Sequence, residues 1–303
     1  MLNFVTHKYL EMNIEQKKWF YLFLLAFTWG SSFILIKKGL LDLSPLQLGS
    51  LRTVLSSLFI FSIGFQSLKT IETHQWKWIV ITGFIGTFFP SFLFAFAETE
   101  VDSGVVSVLN SLVPLNTVLI GLAVFKIATS RTQVFGVIIG FVGASMLIFN
   151  NMGLHPDQNY LYAGLVILAT VMYASSVNII KRYLQDVKPL AIATGNFVAI
   201  IVPAIFVLSF SNFFTPETFL SNTIYLSIGC VVILSLFGTV MAKIVFNSLI
   251  QISSPVFASS VAYLMPLIAL LWGLLDGEVF GINQGLASLL ILLGVYLVNK
   301  KVK

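Results

Sequence analysis

Long apolar stretches alternate with short polar breaks along the chain, from residue 20 to residue 299. A stretch of about 20 apolar residues can cross a bilayer as a helix. Backbone groups in lipid must pair within their own segment, so each stretch is predicted to be helical. The pattern predicts ten spans, at residues 20–40, 45–65, 77–98, 103–125, 132–150, 160–181, 190–210, 223–247, 255–275 and 281–299.

The composition favours a surface that faces lipid. Of the 303 residues, 57% are hydrophobic and only 10% are charged, whereas a soluble domain carries about 25% charged residues. The sequence therefore predicts an all-α polytopic membrane protein. Residues 1–18 are polar and form a predicted cytoplasmic segment. No small-residue cleavage site follows the first apolar stretch, so that stretch is predicted to be retained as a span.

The distribution of Lys and Arg between the short loops indicates orientation, because cytoplasmic loops carry the excess of these residues. With a cytoplasmic N-terminus, thirteen of the 17 basic residues fall on the cytoplasmic side. Lys37 and Lys38 then fall outside, and Arg52 and Lys243 fall within spans. The chain is predicted to be a multi-pass protein of the cell (inner) membrane with both termini cytoplasmic.

The second half of the chain repeats the first. A pattern of Ser, Pro and Gly, Ser107-x6-Pro114-x6-Gly121, recurs as Ser259-x6-Pro266-x6-Gly273. Residues 29–46 also align without a gap to residues 173–190, with identical pairs at Ser31/Ser175, Ser32/Ser176, Ile36/Ile180, Lys37/Lys181, Leu40/Leu184, Asp42/Asp186, Pro45/Pro189 and Leu46/Leu190.

These matches predict two copies of one unit, residues 1–150 with spans 1–5 and residues 156–303 with spans 6–10. Because five is an odd number, the second copy enters the membrane from the opposite side. Inversion explains why Lys37-Lys38 falls outside while the matching Lys181-Arg182 falls inside. Convergence of generic helix-ending signals is the alternative. Inverted repeats suit secondary transporters, in which two halves open a central site to each side in turn.

Short motifs of Gly, Pro and polar residues occur at fixed places in the predicted spans. They are Trp29-Gly30-Ser31-Ser32-Phe33, Pro45 followed by Arg52, Ser103-Gly104 with Pro114, Gln133…Gly136…Gly143, Pro266, Gly277-Glu278 and Gln284…Gly294. In this order the chain resembles EamA-type members of the drug/metabolite transporter superfamily over roughly residues 20–300. The resemblance implies ten helices, two five-helix repeats, cytoplasmic termini, and export or exchange of small metabolites, often amino acids.

Polar and aromatic residues inside the predicted spans are the candidates for substrate binding. Arg52 either anchors a substrate carboxylate or phosphate, or is a structural pin bonded to helix-end carbonyls or to Asp42. Lys243 either neutralises an anionic ligand or snorkels to the cytoplasmic interface. The amides are either ligands or interhelical contacts, and the aromatic rings either stack on substrate or fill space. The full set is Trp29, Ser32, Arg52, Asn110, Asn178, Lys243, Tyr263 and Trp272.

Two further groups have both a functional and a structural interpretation. Pro114 and Pro266 hold matching repeat positions and are predicted to bend their helices, either as hinges that shape a cavity or as inherited packing. Glu98, Glu100 and Asp102 follow span 3 and are expected in a solvated loop. The alternative for these acids is coupling to a cation.

The sequence predicts a secondary transporter that exports small polar metabolites, such as amino acids, by alternating access. A nucleotide-sugar or phosphorylated-sugar exchanger is the alternative, and it would need further cationic side chains in its cavity beyond Arg52 and Lys243. An enzyme would need clustered acids, and a non-transporting scaffold would not need inverted duplication. No catalytic residue, cofactor, metal site or nucleic-acid partner is expected. The expected partners are the lipid bilayer and a small polar or amphipathic metabolite, and a coupling ion stays an open alternative.

Overall fold

The computed structural model describes residues 12–101, 103–149, 160–275 and 282–299, and over these ranges the chain is helical with no strand. Each predicted apolar span coincides with one helical segment. In chain order the segments are α1 (Ile14–Gly39), α2 (Pro45–Gly64), α3 (Thr73–Ala97), α4 (103–123), α5 (Arg131–Phe149), α6 (Ala163–Tyr183), α7 (Pro189–Phe210), α8 (Ile224–Ile252), α9 (255–275) and α10 (Ile282–Asn299).

Six of these segments are long and apolar enough to cross a membrane, namely α1, α2 with its extension to Thr70, α3, α6, α7 and α8. The other four contain shorter apolar helices. Large apolar side chains such as Phe206 and Phe210 are exposed on the outside of the bundle. An apolar outer surface of this kind suits contact with lipid rather than with water.

Two helix boundaries differ from the prediction. Helix α1 begins at Ile14 rather than near residue 20, because Asn13 and Gln16 form a capping box. The Asn13 side chain accepts from the Gln16 backbone N–H at 2.8 Å, and the Gln16 side chain accepts from the Asn13 N–H at 3.0 Å. Helix α8 continues to Ile252, beyond the predicted end at 247, which places Lys243 further from a helix end than expected.

Helices α3 and α8 each contain a π turn, at Phe84–Phe88 and at Leu234–Met241. Turns of this kind break the regular α-helical bonding pattern and frequently occur at functional sites. Gly86-Thr87 lies in the first turn and Gly238-Thr239 in the second. The two Gly-Thr pairs are 152 positions apart, the same spacing that separates Ser107 from Ser259.

Helices α4 and α9 are also interrupted. In α4 a 3₁₀ turn at Asn110–Leu112 directly precedes Pro114, whose ring removes a backbone donor. In α9 the break falls at Ser260, between Pro255–Ser259 and Val261–Leu275. Pro266 lies six positions after that break, within the second helix. The interruption in α4 therefore follows from its proline, whereas the one in α9 does not.

Glycines bring α5 and α10 into backbone contact. A Cβ atom added to Gly294 would lie 2.6 Å from the Cα of Gly140, and one added to Gly136 would lie 2.8 Å from the Gly294 carbonyl oxygen. Small residues at four-residue spacing allow this close approach between helices in lipid. The α5–α10 pair therefore packs tightly at one side of the bundle, away from the cavity described below.

Candidate functional site

Seven helices surround a cavity at the centre of the bundle. Its volume is about 140 Å³, measured as the space open to the centres of water molecules, and about 10–15 Å³ is enough for one water. Helices α1, α2, α3 and α4 contribute side chains from the first half, and α6, α8 and α9 contribute side chains from the second. Helices α5, α7 and α10 contribute no described side chain to the wall.

Arg52 lies on the cavity wall, two turns into α2. Its Nε donates to the Thr239 hydroxyl at 2.8 Å, in the π turn of α8. Its terminal nitrogens donate to no residue in the described part of the chain. The predicted alternative in which Asp42 pins Arg52 is wrong, because Asp42 instead accepts from hydroxyl groups such as that of Ser227, at 2.6 Å.

Lys243 also lines the cavity, from α8. Its Nζ crosses to the π turn of α3, where it donates to the Gly86 carbonyl at 3.2 Å and to the Thr87 hydroxyl. The alternative in which Lys243 snorkels to the interface is wrong, since the ammonium group is bound inside the bundle. The reason is the longer α8, which continues to Ile252 and carries Lys243 into the interior.

Trp29 and Ser32 line the cavity on α1, opposite the π turn of α8. The Trp29 Nε1 donates to the Gly238 carbonyl at 2.9 Å, and its ring meets Phe246 edge-on with centroids 5.0 Å apart. Gly238 leaves room for Ser32, because an added Cβ would lie 2.7 Å from the Ser32 hydroxyl oxygen. The absence of a side chain at residue 238 thus lets α1 approach the turn.

Two buried amides on the wall retain acceptors without a described partner. Asn110 is 5% exposed, and its Nδ2 donates to the Met265 sulfur at 3.3 Å. Asn247 is 1% exposed, and its Nδ2 donates to the Pro189 carbonyl at 3.3 Å. The Oδ1 atoms of Asn110 and Asn247 have no hydrogen-bond partner in the described structure.

Two of the predicted site residues, Asn178 and Tyr263, do not join this group, and a third lies outside the described side chains. Asn178 is buried between α4 and α6, where its Nδ2 donates to the carbonyls of Thr117 and Ala174 at 3.0 Å. The Tyr263 hydroxyl donates to the Val137 carbonyl at 2.8 Å and ties α9 to α5. Trp272 belongs to α9, but its side chain lies outside the described residues. The cavity therefore brings together Trp29, Ser32, Arg52, Asn110 and Lys243.

The sequence did not identify the residues that accept hydrogen bonds from the Arg52 and Lys243 side chains. Thr87 and Thr239 each follow a glycine in a π turn, and each accepts from a cationic side chain. A signal was present, since the Gly-Thr pair recurs at the spacing of the Ser107 and Ser259 repeat. Phe94 and Phe246 also recur at that spacing, and both line the cavity.

One of the three acids at the end of α3 does not lie in the solvated loop that was expected. Glu98 accepts from the Ser103 hydroxyl at 3.0 Å through Oε2, while its Oε1 is buried without a described partner. Glu100 is exposed, and Asp102 lies outside the described residues. The loop interpretation is therefore wrong for Glu98, because the α3–α4 junction folds over its carboxylate.

Known proteins match this chain over most of its length. Residues 16–149 and again residues 161–300 match the sequence model of the EamA-like transporter family. An uncharacterized transporter of Archaeoglobus fulgidus is 26% identical over 94% of this chain and 99% of its own length. The uncharacterized inner membrane transporter YedA of Escherichia coli K12 is 28% identical over 92% of this chain and 89% of its own length.

The fold has a counterpart among solved structures. One crystal structure of a protein matches with a TM-score of 0.70, over 92% of this chain and 94% of that one. The two sequences are only 16% identical. The match therefore concerns the helical fold alone and carries no statement about substrate.

Proposed function

This chain belongs to the EamA-like transporter family, and from that premise we propose that it is a secondary transporter for small polar metabolites, such as amino acids. Substrate would pass through the central cavity by alternating access. The observation that carries the proposal is that both halves of the chain build the cavity wall. The direction, export, is proposed from the family resemblance. The inner membrane is supported by the name of the relative YedA.

The proposal includes ten transmembrane helices in two inverted five-helix repeats, residues 1–150 and 156–303, with cytoplasmic termini. One support is that the family model matches the chain twice. A second is that the most extensive helix contacts correspond when the halves are exchanged. The α1–α9 contact corresponds to α6–α4, and the α3–α6 contact corresponds to α8–α1, while α2 packs on α7 and α5 on α10.

Matched serines make the same contact in each half. Ser32 of α1 packs on Gly238 in the π turn of α8, and Ser176 of α6 packs on Gly86 in the π turn of α3. A two-fold relation between the halves accounts for both contacts at once. These matched contacts lie on the cavity wall, where two conformations of opposite access would have to interconvert.

Matched lysines differ between the halves. Lys181, at the end of α6, donates to the carbonyls of Ile250 and Gln251 at 3.2 Å and of Ser253 at 2.8 Å, and so caps α8. Lys37, its counterpart on α1, is exposed and donates to no residue in the described ranges. In the proposed orientation Lys181 therefore latches α6 to α8 at the cytoplasmic end, whereas Lys37 forms no such latch among the described residues, and Asp42 instead joins α1 to α8 at the outer end.

Counterflow in proteoliposomes tests the proposal. Vesicles preloaded with unlabelled amino acids, sugars or organic acids should accumulate the labelled solute transiently if the protein exchanges it. Ser176→Phe should abolish counterflow by filling the cavity, whereas Ser175→Phe, at the neighbouring half-buried position that does not line the cavity, should retain it. Absence of counterflow for every solute, in vesicles that contain folded protein, contradicts the proposal.

The alternative of a nucleotide-sugar or phosphorylated-sugar exchanger lacks one expected feature. Such an exchanger would carry further cations in its cavity for the phosphate groups. Among the described residues that line the cavity, Arg52 and Lys243 are the cationic ones. Two cationic side chains favour a small metabolite as the substrate over a nucleotide sugar with its two phosphate groups.

A further inference from the structure

We propose that the cavity binds a small organic anion, whose carboxylate or phosphate group lies between Arg52 and Lys243. The inference rests on the proposed function, because it assigns a substrate class to the same cavity. It also goes beyond that function, since the matched family and relatives are named only as transporters. The position of the two cations, and the absence of a carboxylate among the described residues that line the cavity, support the assignment.

The two cations approach one region of the cavity. Thr239, which holds the Arg52 guanidinium, and Lys243 are four positions apart on α8. Arg52 and Lys243 also both line the cavity, whose volume is about 140 Å³. A single anionic group in a cavity of this size can therefore lie between the guanidinium from α2 and the ammonium from α8.

Neutral oxygens hold both cations without cancelling their charge. The Arg52 Nε meets a hydroxyl, and the Lys243 Nζ meets the Gly86 carbonyl and a hydroxyl. The planar Arg52 fork keeps its two terminal nitrogens for a ligand, in the geometry that suits a carboxylate or phosphate. The site is thus fixed in position before any anion arrives.

No carboxylate balances these charges among the described cavity-lining residues. The ion pairs in the described structure join Lys18 to Glu15 and join the side chains of His74 and Glu72, all remote from the cavity. Glu98 lies within electrostatic range of Arg52 but outside ion-pair distance. Because isolated charges are costly to keep away from water, a bound anion would stabilise the pair.

Other groups on the wall define the rest of the ligand. The rings of Phe94, Tyr173 and Phe246 provide apolar surface around the two cations. The chemistry indicates an organic anion with an apolar part, rather than a cation.

Binding to the full-length protein in nanodiscs tests this assignment by calorimetric titration. The probes are lactate, succinate and glycerol 3-phosphate, each paired with its neutral amide or alcohol, together with choline as a cation. We expect at least one anion to bind at least about tenfold more tightly than its neutral partner. The carboxylates and the phosphate ester distinguish the two anionic groups. Equal binding of a neutral partner, preference for choline, or no binding by any anion would overturn the proposal.

Variants separate a binding role from a structural one. Arg52→Gln and Lys243→Met should each weaken anion binding about tenfold or more, without lowering the melting temperature of the ligand-free protein. Arg52→Lys should recover part of the affinity, because it keeps the charge and loses the fork. Arg182→Gln and Lys188→Met, at exposed positions, are the matched controls. Lower ligand-free stability with unchanged affinity would mark the cations as structural pins.

The two proposals fail in different ways. If counterflow is carried only by neutral or cationic solutes, transport stands and the anion assignment is wrong. If an anion binds with the expected dependence on Arg52 and Lys243 but no solute crosses the membrane, the binding site stands and transport is wrong.

Discussion

Asp42, in the loop after α1, connects the two halves of the chain through hydroxyl groups. It accepts from Ser221 and Ser227 at 2.6 Å and from Thr223 at 2.9 Å, all at the start of α8. These hydrogen bonds, led by the one from Ser221, hold the pKa of Asp42 below its ordinary value. They stabilise the charged carboxylate of Asp42 relative to its protonated, neutral form.

Asp42→Asn should lower the melting temperature at pH 7, and the difference should shrink as the pH falls below about 4. The sign follows from the lowered pKa of the folded state. The stabilisation is fully present above the unfolded pKa and is lost as the pH falls through the folded pKa. Thermal unfolding in detergent at pH 7 and pH 3 measures the effect. Asp186→Asn, at the matched and exposed repeat position, is the control, and an equal effect of both changes would contradict the prediction.

The sequence identified Arg52 and Lys243 but could not identify the residues that hold them. Their partners depend on the rotation of α8 relative to α2 and α3, and the π turns shift that rotation away from the regular helical period. Asn178 and Tyr263 illustrate a second limit. Their helices are apolar on every side, so no polar face indicates which way a side chain points.

At the scale of elements, the α5–α10 contact is the closest approach between helix backbones that the glycines reveal. Gly294→Ala would force a methyl group to within 2.6 Å of Gly140 backbone atoms. Backbone cannot move aside as a flexible side chain can. We expect the melting temperature to fall by about 5 °C or more, since overpacking typically costs about 1–3 kcal/mol.

Gly229→Ala is the matched control for that change. Gly229 lies within α8, and an added Cβ there meets nothing within 4 Å. Alanine is the better helix former, so this variant should be neutral or slightly stabilising. A similar loss of stability in both variants would mean that helix propensity, rather than close packing, governs the Gly294 position.

The positions of the helices were largely predictable, whereas their ends and interruptions were not. Span order and approximate limits followed from apolar length, because lipid imposes that length on each helix. The early start of α1 depends on the Asn13 and Gln16 side chains, whose capping contribution is local and unrelated to hydropathy. The break at Ser260 has no proline at or next to it, since the nearest one, Pro255, lies five positions before it.

At the scale of the whole molecule, the Lys181 latch predicts how access to the cavity changes when the end of α6 is loosened, given the proposed orientation. Lys181→Met removes three hydrogen bonds from the latched end and should shift access toward the cytoplasmic side about tenfold, because a hydrogen bond to a charged group contributes about 1.5–3 kcal/mol. Lys37→Met should leave the cytoplasmic end latched or shift access the other way.

Thiol labelling from each side of the membrane measures this shift. A single cysteine is introduced by Ser91→Cys on the cavity wall, in a background where the buried Cys230 is replaced by alanine. Lys38→Met, beside Lys37 and also exposed, serves as the control. A shift in the same direction for Lys181→Met and Lys37→Met would contradict the latch.

The glycine contact between α5 and α10 also has a consequence for biosynthesis. Gly136 and its partner Gly294 are separated by most of the second half of the chain. At about 5–20 residues per second, ribosomes need roughly 8–30 s to synthesise that interval. During this time the glycine face of α5 waits in the bilayer for a helix that has not yet been made. The bundle is therefore completed only when translation is almost over. A chain that stops before α10 leaves the glycine face of α5 without its partner helix.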